Sequence, residues 1–315
     1  MSHSDREEHW RATTPEGRRS TAALLPALLV ALLGTLVWCA SSSAGVYSAF
    51  TDPQVVSIDG YSGSAMEPFV SADGRYLLFN TSNVAPNIPA LQLATRVDAT
   101  SFQYQGELPG EGVNEAGALS GTPSMDLEGE LYFISTRSYF PTLSTVFAGQ
   151  FSAGQVTGVH QVTSVSSPIP GFVDFDVSVS PDGATLYVSV GNFLAGGSPT
   201  SATITMFDKV GADFIADPQS AYIMRSVNKP GQLDYAASVS SDGLELFFTR
   251  VKPSKGPPAI YRASRTKLTK PFGHVQRIST ITGFAEAPSL SADGRTLYYH
   301  ELLGSQFVIE SVTRP

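Results

Sequence analysis

PSLSADGRTLYYHE, residues 288–301, repeats the phrase EPFVSADGRYLLFN of residues 67–80. Three looser copies lie between them: TPSMDLEGELYFIS at 122–135, DVSVSPDGATLYVS at 176–189 and ASVSSDGLELFFTR at 237–250. Each reads as a short strand, an Asp-Gly turn and a second strand. Glycine takes the positive φ that a tight hairpin demands, and aspartate bonds back to nearby backbone N–H groups. The turn residues are Asp73–Gly74, Gly129, Asp182–Gly183, Asp242–Gly243 and Asp293–Gly294, with Glu128 replacing aspartate in the second copy. The glycines are spaced by 55, 54, 60 and 51 residues.

The columns around the glycine are apolar. Four residues before it stand Val70, Met125, Val179, Val239 and Leu290; three after it stand Leu77, Tyr132, Leu186, Leu246 and Leu297. The neighbouring columns of the second strand are apolar too, so this strand is buried on both faces and sheets stack against each side. Small sheets repeated at this period make a β-propeller with four-stranded blades. Further strands are expected at TVFAGQFS and VHQVTSV, at ATITMFDK and AYIMRSV, and at AIYRASR and HVQRIST. The last copy ends one strand short, at QFVIESVT. The segment PQVVSIDGYSGSAMEPFVS at 53–71 parallels GHVQRISTITGFAEAPSLS at 273–291, so QVVSI is expected to complete the last blade and close a ring of five.

The E-x-P-x-x-S-x-D-G-x-x-L-x-F phrase, followed by IYRASR and PFG, resembles the TolB-like β-propeller repeat, a relative of the WD repeat, over residues 49–315. The resemblance implies a periplasmic protein that binds other proteins through its propeller. The namesake has six repeats and a preceding α/β domain, where this chain shows five repeats. Propellers host many unrelated activities, so the repeat implies a fold more than a task.

The first 44 residues differ in kind. Arg18 and Arg19 precede the apolar run AALLPALLVALLGTLVW at 22–38, and small residues follow, the pattern of a secretory signal cleaved between Ala44 and Gly45. The runner-up is an uncleaved membrane anchor, and the third reading is lipidation at Cys39, which Trp38 opposes. Domains are therefore a leader, 1–44, and one propeller, 45–315, exported to the periplasm or beyond. The only cysteine is in the leader, so the propeller has no internal disulfide.

Of the 315 residues, 42% are hydrophobic and 15% charged, ample for a large core. A net charge of −8 and a pI near 5.1 argue against nucleic acid as a partner. The basic run RASRTKLTK at 262–270 reads as a solvated strand connection.

Catalytic signatures are sparse. There is no G-x-S-x-G, no H-E-x-x-H and no D-x-[DN]-x-[DN]-G loop. His160, His274 and His300 fall on different units and read as strand-end residues, His300 beside Glu301 being the one to check. Carboxylates are the suggestive group: Glu67, Asp174, Asp176, Asp234 and Glu286 fall in or before the first strand of their units. If that strand is innermost, they ring one mouth of the channel. Phe172, Phe175 and Tyr235 accompany them, an aromatic-beside-acid pattern suited to a sugar or peptide. Tyr76, Tyr132, Tyr187, Tyr298 and Tyr299 read as packing between blades.

The expected function is a monomeric, non-catalytic binding module of the cell envelope, taking a protein or carbohydrate at its loops and channel mouth. Its only membrane contact would be an uncleaved leader. No cofactor is expected, although an acid ring also suits Ca²⁺. The alternative is a glycosidase using Asp174, Asp176 and Glu67, since some five-bladed propellers place acid and base on inner strands. The acids lie seven, eight or nine residues before the turn glycine, so sequence alone pairs none of them.

Overall fold

The computed structural model describes residues 48–253 and 255–315; the leader and its expected cleavage point lie outside the described residues. Two short strands come first, β1 (Thr51–Val55) and β2 (Ser57–Asp59). Four units follow: β3 (Met66–Val70), β4 (Tyr76–Asn80), β5 (Leu91–Arg96) and β6 (Ser101–Glu107); then β7 (Ser120–Met125), β8 (Glu130–Ser135), β9 (Val146–Ser152) and β10 (Gln155–Gln161); then β11 (Phe172–Val179), β12 (Thr185–Asn192), β13 (Ala202–Val210) and β14 (Asp213–Ala216); then β15 (Leu233–Val239), β16 (Glu245–Val251), β17 (Ala259–Ser264) and β18 (Gly273–Arg277). The last unit has β19 (Ala285–Leu290), β20 (Thr296–Leu303) and β21 (Gln306–Thr313). Within each unit the strands pair antiparallel in sequence order. The fold is a β-propeller.

The first strand of each unit is innermost, and β19 packs beside β3, which closes the ring. β1 pairs antiparallel with β21 and supplies the missing fourth strand, Gln54 facing Ser311 and Val55 facing Glu310. QVVSI is shared between two units. After Val56 the chain leaves the last sheet, and β2 pairs in parallel with β6 at the edge of the first. Between neighbouring sheets lie the buried clusters. Leu77, Phe79 and Phe102 of the first unit, for example, meet Tyr298 and Ile309 of the last.

The turns explain the repeat. Ser71 Oγ donates to Asp73 Oδ1 at 2.6 Å, Arg75 N–H donates to the same oxygen, and Tyr76 N–H donates to Ser71 Oγ. Ser180–Asp182, Ser240–Asp242 and Ser291–Asp293 do the same. Gly74, at φ 71, takes the left-handed conformation that ends the turn. The second unit uses another solution. Asp126 accepts from both Glu128 N–H and Glu130 N–H, and the turn is one residue shorter, because Met125 pairs with Leu131 where Val70 pairs with Leu77. The expected column is corrected accordingly: Leu131, not Tyr132, stands in the place of Leu77.

An arginine clasps the turn in three units. Arg96, Arg265 and Arg314 donate Nε–H to the carbonyls of Gly74, Gly243 and Gly294. Their guanidinium groups lie over Phe102, Phe272 and Phe50, at 4.4, 4.4 and 4.8 Å from the ring centroids. The basic run at 262–270 is thus only half solvated. Arg265 clasps a turn and Arg262 pairs with Glu245 at 2.5 Å, while residues 266–270 are exposed.

One expected strand is not a strand. AYIMRSV, residues 221–227, begins inside a single helical turn, Ser220–Ile223, and the fourth strand of its unit is the earlier β14, made by a tight hairpin at Gly211. Ile223, Met224 and Val227 of the AYIMRSV segment plug the core between the third and fourth sheets. In the second unit, likewise, the fourth strand begins at Gln155, before VHQVTSV.

Candidate functional site

Every inner strand carries a bulge shortly before its turn. The register of β3, β7, β11, β15 and β19 against its partner strand slips there. In four of them the residue seven before the glycine adopts positive φ: Glu67 at 54°, Thr122 at 52°, Ala236 at 52° and Ala287 at 54°. Such a conformation persists only where its surroundings hold it. Here the backbone N–H of each bulge is held by a buried side chain of the preceding unit. Thr122 donates to Asn80 Oδ1 at 3.1 Å, Ala236 to Ser189 Oγ at 3.0 Å, Ala287 to Thr249 Oγ1 at 2.9 Å and Glu67 to His300 Nδ1 at 3.0 Å. The short second turn moves Ile134 into that position, opposite Gly121, where Asn80 stands opposite Met66. Isoleucine cannot accept a hydrogen bond. The third unit's bulge differs accordingly: Phe175 is the unpaired residue and Asp176 pairs with Ser189.

The bulges decide which acids meet. Residues seven before the glycine line the central channel, where Glu67, Thr122 and Asp176 stand with Ala236 and Ala287. Residues eight before it, Phe175, Tyr235 and Glu286, come to the same end. Tyr235 donates its hydroxyl proton to Glu286 Oε1. His300 Nδ1 accepts from Glu67 N–H, which fixes its proton on Nε2, and Nε2–H faces Glu286 Oε2 at 3.3 Å. Phe175 packs against Tyr235 at 5.6 Å and Phe193 at 5.5 Å between ring centroids. The free space in the channel is about 70 Å³.

Burial pushes the Glu67 carboxyl up to about 7, with the Asp176 and Glu286 charges adding to it and His300 opposing. Burial likewise lifts Asp176 to about 7 against its bond from Ser189. Tyr235 is driven well above its ordinary value, first by burial and then by Glu286. No ion pair engages Glu67 or Asp176 among the described residues.

Two acids expected at the mouth point elsewhere. Asp174 and Asp234 both stand nine residues before the glycine, inside their sheets. Asp234 is fully buried and paired with Arg250 at 2.5 Å, with Lys229 N–H on its other oxygen. Asp174 faces Val190 where Asp234 faces Arg250. Its Oδ2 is buried without a partner, and burial lifts its carboxyl to about 7. Of the expected residues, the structure brings Glu67, Asp176 and Glu286 together with Phe175 and Tyr235, and leaves Asp174 and Asp234 inside their sheets. Phe172 is half-buried at the start of β11, and His160 and His274 lie on outer strands, both exposed.

Thr122, Asn80 and His300 were not among the expected site residues. The signal for Thr122 was present, since it occupies the column of Glu67 and Asp176. No group of three or more His, Cys, Asp or Glu side chains able to hold a metal occurs among the described residues.

No protein-family model matches the chain, and no curated protein matches it. Solved structures do. An endo-arabinase from Bacteroides thetaiotaomicron superposes with a TM-score of 0.55 at 13% identity, covering 83% of this chain and 98% of that one. A glycosyl hydrolase from Bacteroides ovatus gives 0.53 at 11%, covering 86% and 94%. TolB from Acinetobacter baumannii gives 0.47 at 17%, covering 80% of this chain and 55% of its own, so the chain spans about half of that TolB. At these identities the likeness to the endo-arabinase and the glycosyl hydrolase shows a fold, the β-propeller, and nothing of the task.

Proposed function

We propose that the chain is an exported, TolB-like propeller of the cell envelope, a non-catalytic module that binds a protein or carbohydrate at its channel mouth. One observation carries this reading: Glu67, Asp176 and Glu286, from three different units, converge with Phe175 and Tyr235 at one end of the channel. Carboxyls gathered from separate units, with Glu67 and Asp176 raised by burial, mark a candidate binding site. The confined space supports binding over turnover. The channel that Glu67 and Asp176 help to line holds about 70 Å³ of free space, against roughly 300–1,000 Å³ for sites that enclose a drug-sized ligand. A ligand therefore inserts a projecting group and keeps its bulk on the loops. Export rests on the leader, with its paired arginines, apolar run and small residues before Gly45. No helix among the described residues is long and apolar enough to cross a membrane.

The test is equilibrium binding of the purified full chain to panels of envelope glycans and peptides, with Asp176→Asn and Tyr235→Phe alongside. Binding that both variants retain unchanged would exclude the mouth. N-terminal sequencing of the chain recovered from its host would separate cleavage at Gly45 from an anchor.

A glycosidase is the second reading, and one observation favours it. Glu67, with its carboxyl near 7, lies within electrostatic reach of Glu286, whose two oxygens accept from Tyr235 and His300. Two carboxyls in unequal surroundings are how acid and base roles divide. Release of reducing ends from an arabinan or similar polysaccharide, lost in Glu67→Gln, would establish it over the binding module.

A further inference from the structure

We propose that the head of the channel takes a primary ammonium group, held by the oxygens of Glu67, Thr122 and Asp176. This rests on the binding reading above and names the chemistry its site selects. The three residues come from consecutive units and line one side of the channel, while the methyl groups of Ala236 and Ala287 complete the ring. They leave acceptors unused. Thr122 is 7% exposed, yet its Oγ1 is buried without any hydrogen-bond partner. The bond at Glu67 engages Oε2, from Thr122 N–H at 3.3 Å, and the bond at Asp176 engages Oδ1, from Ser189 at 3.4 Å. Buried acceptors without donors are costly, and carboxylates without a counter-charge more so.

The shape of that deficit selects the ligand. An ammonium carries three donors and no acceptor, matching two carboxylates and a hydroxyl. A sugar hydroxyl brings one donor and leaves the charge uncompensated. An anion would be repelled. The donor set is too poor in carboxylates and imidazoles for a metal, in line with the lack of a metal-holding group among the described residues. The channel's free space of about 70 Å³ suits an ammonium on an alkyl stem better than an enclosed sugar ring. The rings of Phe175 and Tyr235 at the same end add faces that attract a cation. Glu286, His300 and Tyr235 satisfy one another and frame the site without competing for the ligand.

A free diamine and a lysine side chain present the same group, so both are tested. The measurement is calorimetric titration of the full chain at pH 8 with 1,4-diaminobutane, a lysyl tripeptide, and 1,4-butanediol as a neutral isostere. The diamine or the lysyl peptide is expected to bind, and the diol to bind at least roughly tenfold more weakly. Thr122→Val keeps the volume and removes Oγ1; it should weaken binding by roughly fivefold or more, and Asp176→Asn by roughly tenfold or more. Unliganded melting curves verify that both variants fold. Preference for the diamine assigns the site to a small amine, and preference for the peptide to a protein lysine. Equal binding of diol and diamine overturns the inference, as does full affinity in Thr122→Val. Glycan binding that Asp176→Asn abolishes, without any amine binding, would sink the ammonium assignment and keep the mouth. Loss of neither would sink both.

Discussion

Two acid-lined spaces in this propeller differ in what their acids have to do. At the turn end, a cleft of about 730 Å³ between the third and fourth units is lined by Asp182, Asp208, Asp217 and Asp242. Each is engaged: Asp182 by Ser180 and Ala184 N–H, Asp242 by Ser240 and Leu244 N–H, Asp208 by Thr185, Asp217 by Gln219 N–H. The free space along the central channel is a tenth of that, and Glu67 and Asp176 at its head have no ion-pair partner among the described residues. Burial raises Asp208 in the cleft as it raises the channel acids, and the opposite sign appears at the exposed turns of the first and last units. Hydrogen bonds from Ser71 and Ser291 hold Asp73 and Asp293 below the usual carboxylate range, whereas burial lifts Glu67 and Asp176 to about 7. Size and acidity alone would have picked the cleft. Unsatisfied chemistry picks the channel.

The largest expected effect tests what a partner is worth to a buried acid. Arg250→Leu makes the fourth unit resemble the third, leaving Asp234 without an ionic partner, as Asp174 is opposite Val190, and with only Lys229 N–H to hold it. Removing one member of a buried pair costs about 3–5 kcal/mol. Chemical denaturation should show a loss of that size. A loss under about 1 kcal/mol would mean that Asp234 is as easily protonated as Asp174, and that the pairing is incidental.

Asp176→Asn comes next and should stabilise. In the folded chain the carboxyl holds its proton up to about 7, while the unfolded chain releases it near the ordinary value of 3.8. The folded state therefore carries the extra proton through that window, and stability falls as pH rises across it. The variant should match the parent near pH 4 and exceed it increasingly up to pH 7. Above that the gain levels off at about 2 kcal/mol, after allowance for relaxation around the charge. Melting curves at pH 4, 6 and 8 measure it. An unchanged difference across that range would mean a solvated Asp176, and the contrast with the turn end would vanish.

Much of this was legible in the sequence, and the reason is periodicity. Val70, Leu77 and their counterparts recur because every unit buries the same strand positions, and the closing strand showed itself through the likeness of 53–71 to 273–291. The site was legible only in composition. Glu67, Asp174, Asp176, Asp234 and Glu286 look equivalent as a string; the bulge sends the first, third and fifth to the channel and leaves the other two inside the sheet. That bulge depends on Asn80, Ser189, Thr249 and His300, four different residue types doing one job, so no repeated letter marks it. AYIMRSV misled for a related reason. Its apolar residues are buried as expected, but by a helical turn that plugs two sheets.

Smaller effects belong to the turns. Asp73→Ala and Asp293→Ala each remove an acceptor of two hydrogen bonds at a largely solvated position, and should cost about 0.5–1 kcal/mol apiece. Their pH dependence runs opposite to that of Asp176. The contribution is present above the ordinary carboxylate range and disappears on acidification, because the folded carboxyl titrates lower than the unfolded one. Equal costs at the two sites would establish the turn end as uniform.

The smallest effect separates likeness of sequence from likeness of role. Glu128 occupies the place of the turn aspartate, yet its backbone N–H is a donor to Asp126, and Asp126 Oδ1 receives both bonds that Ser71 and Asp73 divide in the first unit. Glu128→Ala should therefore change stability by less than about 0.5 kcal/mol, as for an ordinary surface position. Asp126→Ala should cost about 1–2 kcal/mol, since Asp126 is 7% exposed and the two N–H groups would lose their acceptor. The reverse order would restore Glu128 to the aspartate's role and make the second turn a copy of the others. The short turn also puts Ile134 where the other units place a hydrogen-bonding side chain, and so gives the third unit the bulge that pairs Asp176 with Ser189. A departure at the turn end thus reaches the channel head through a single residue of register.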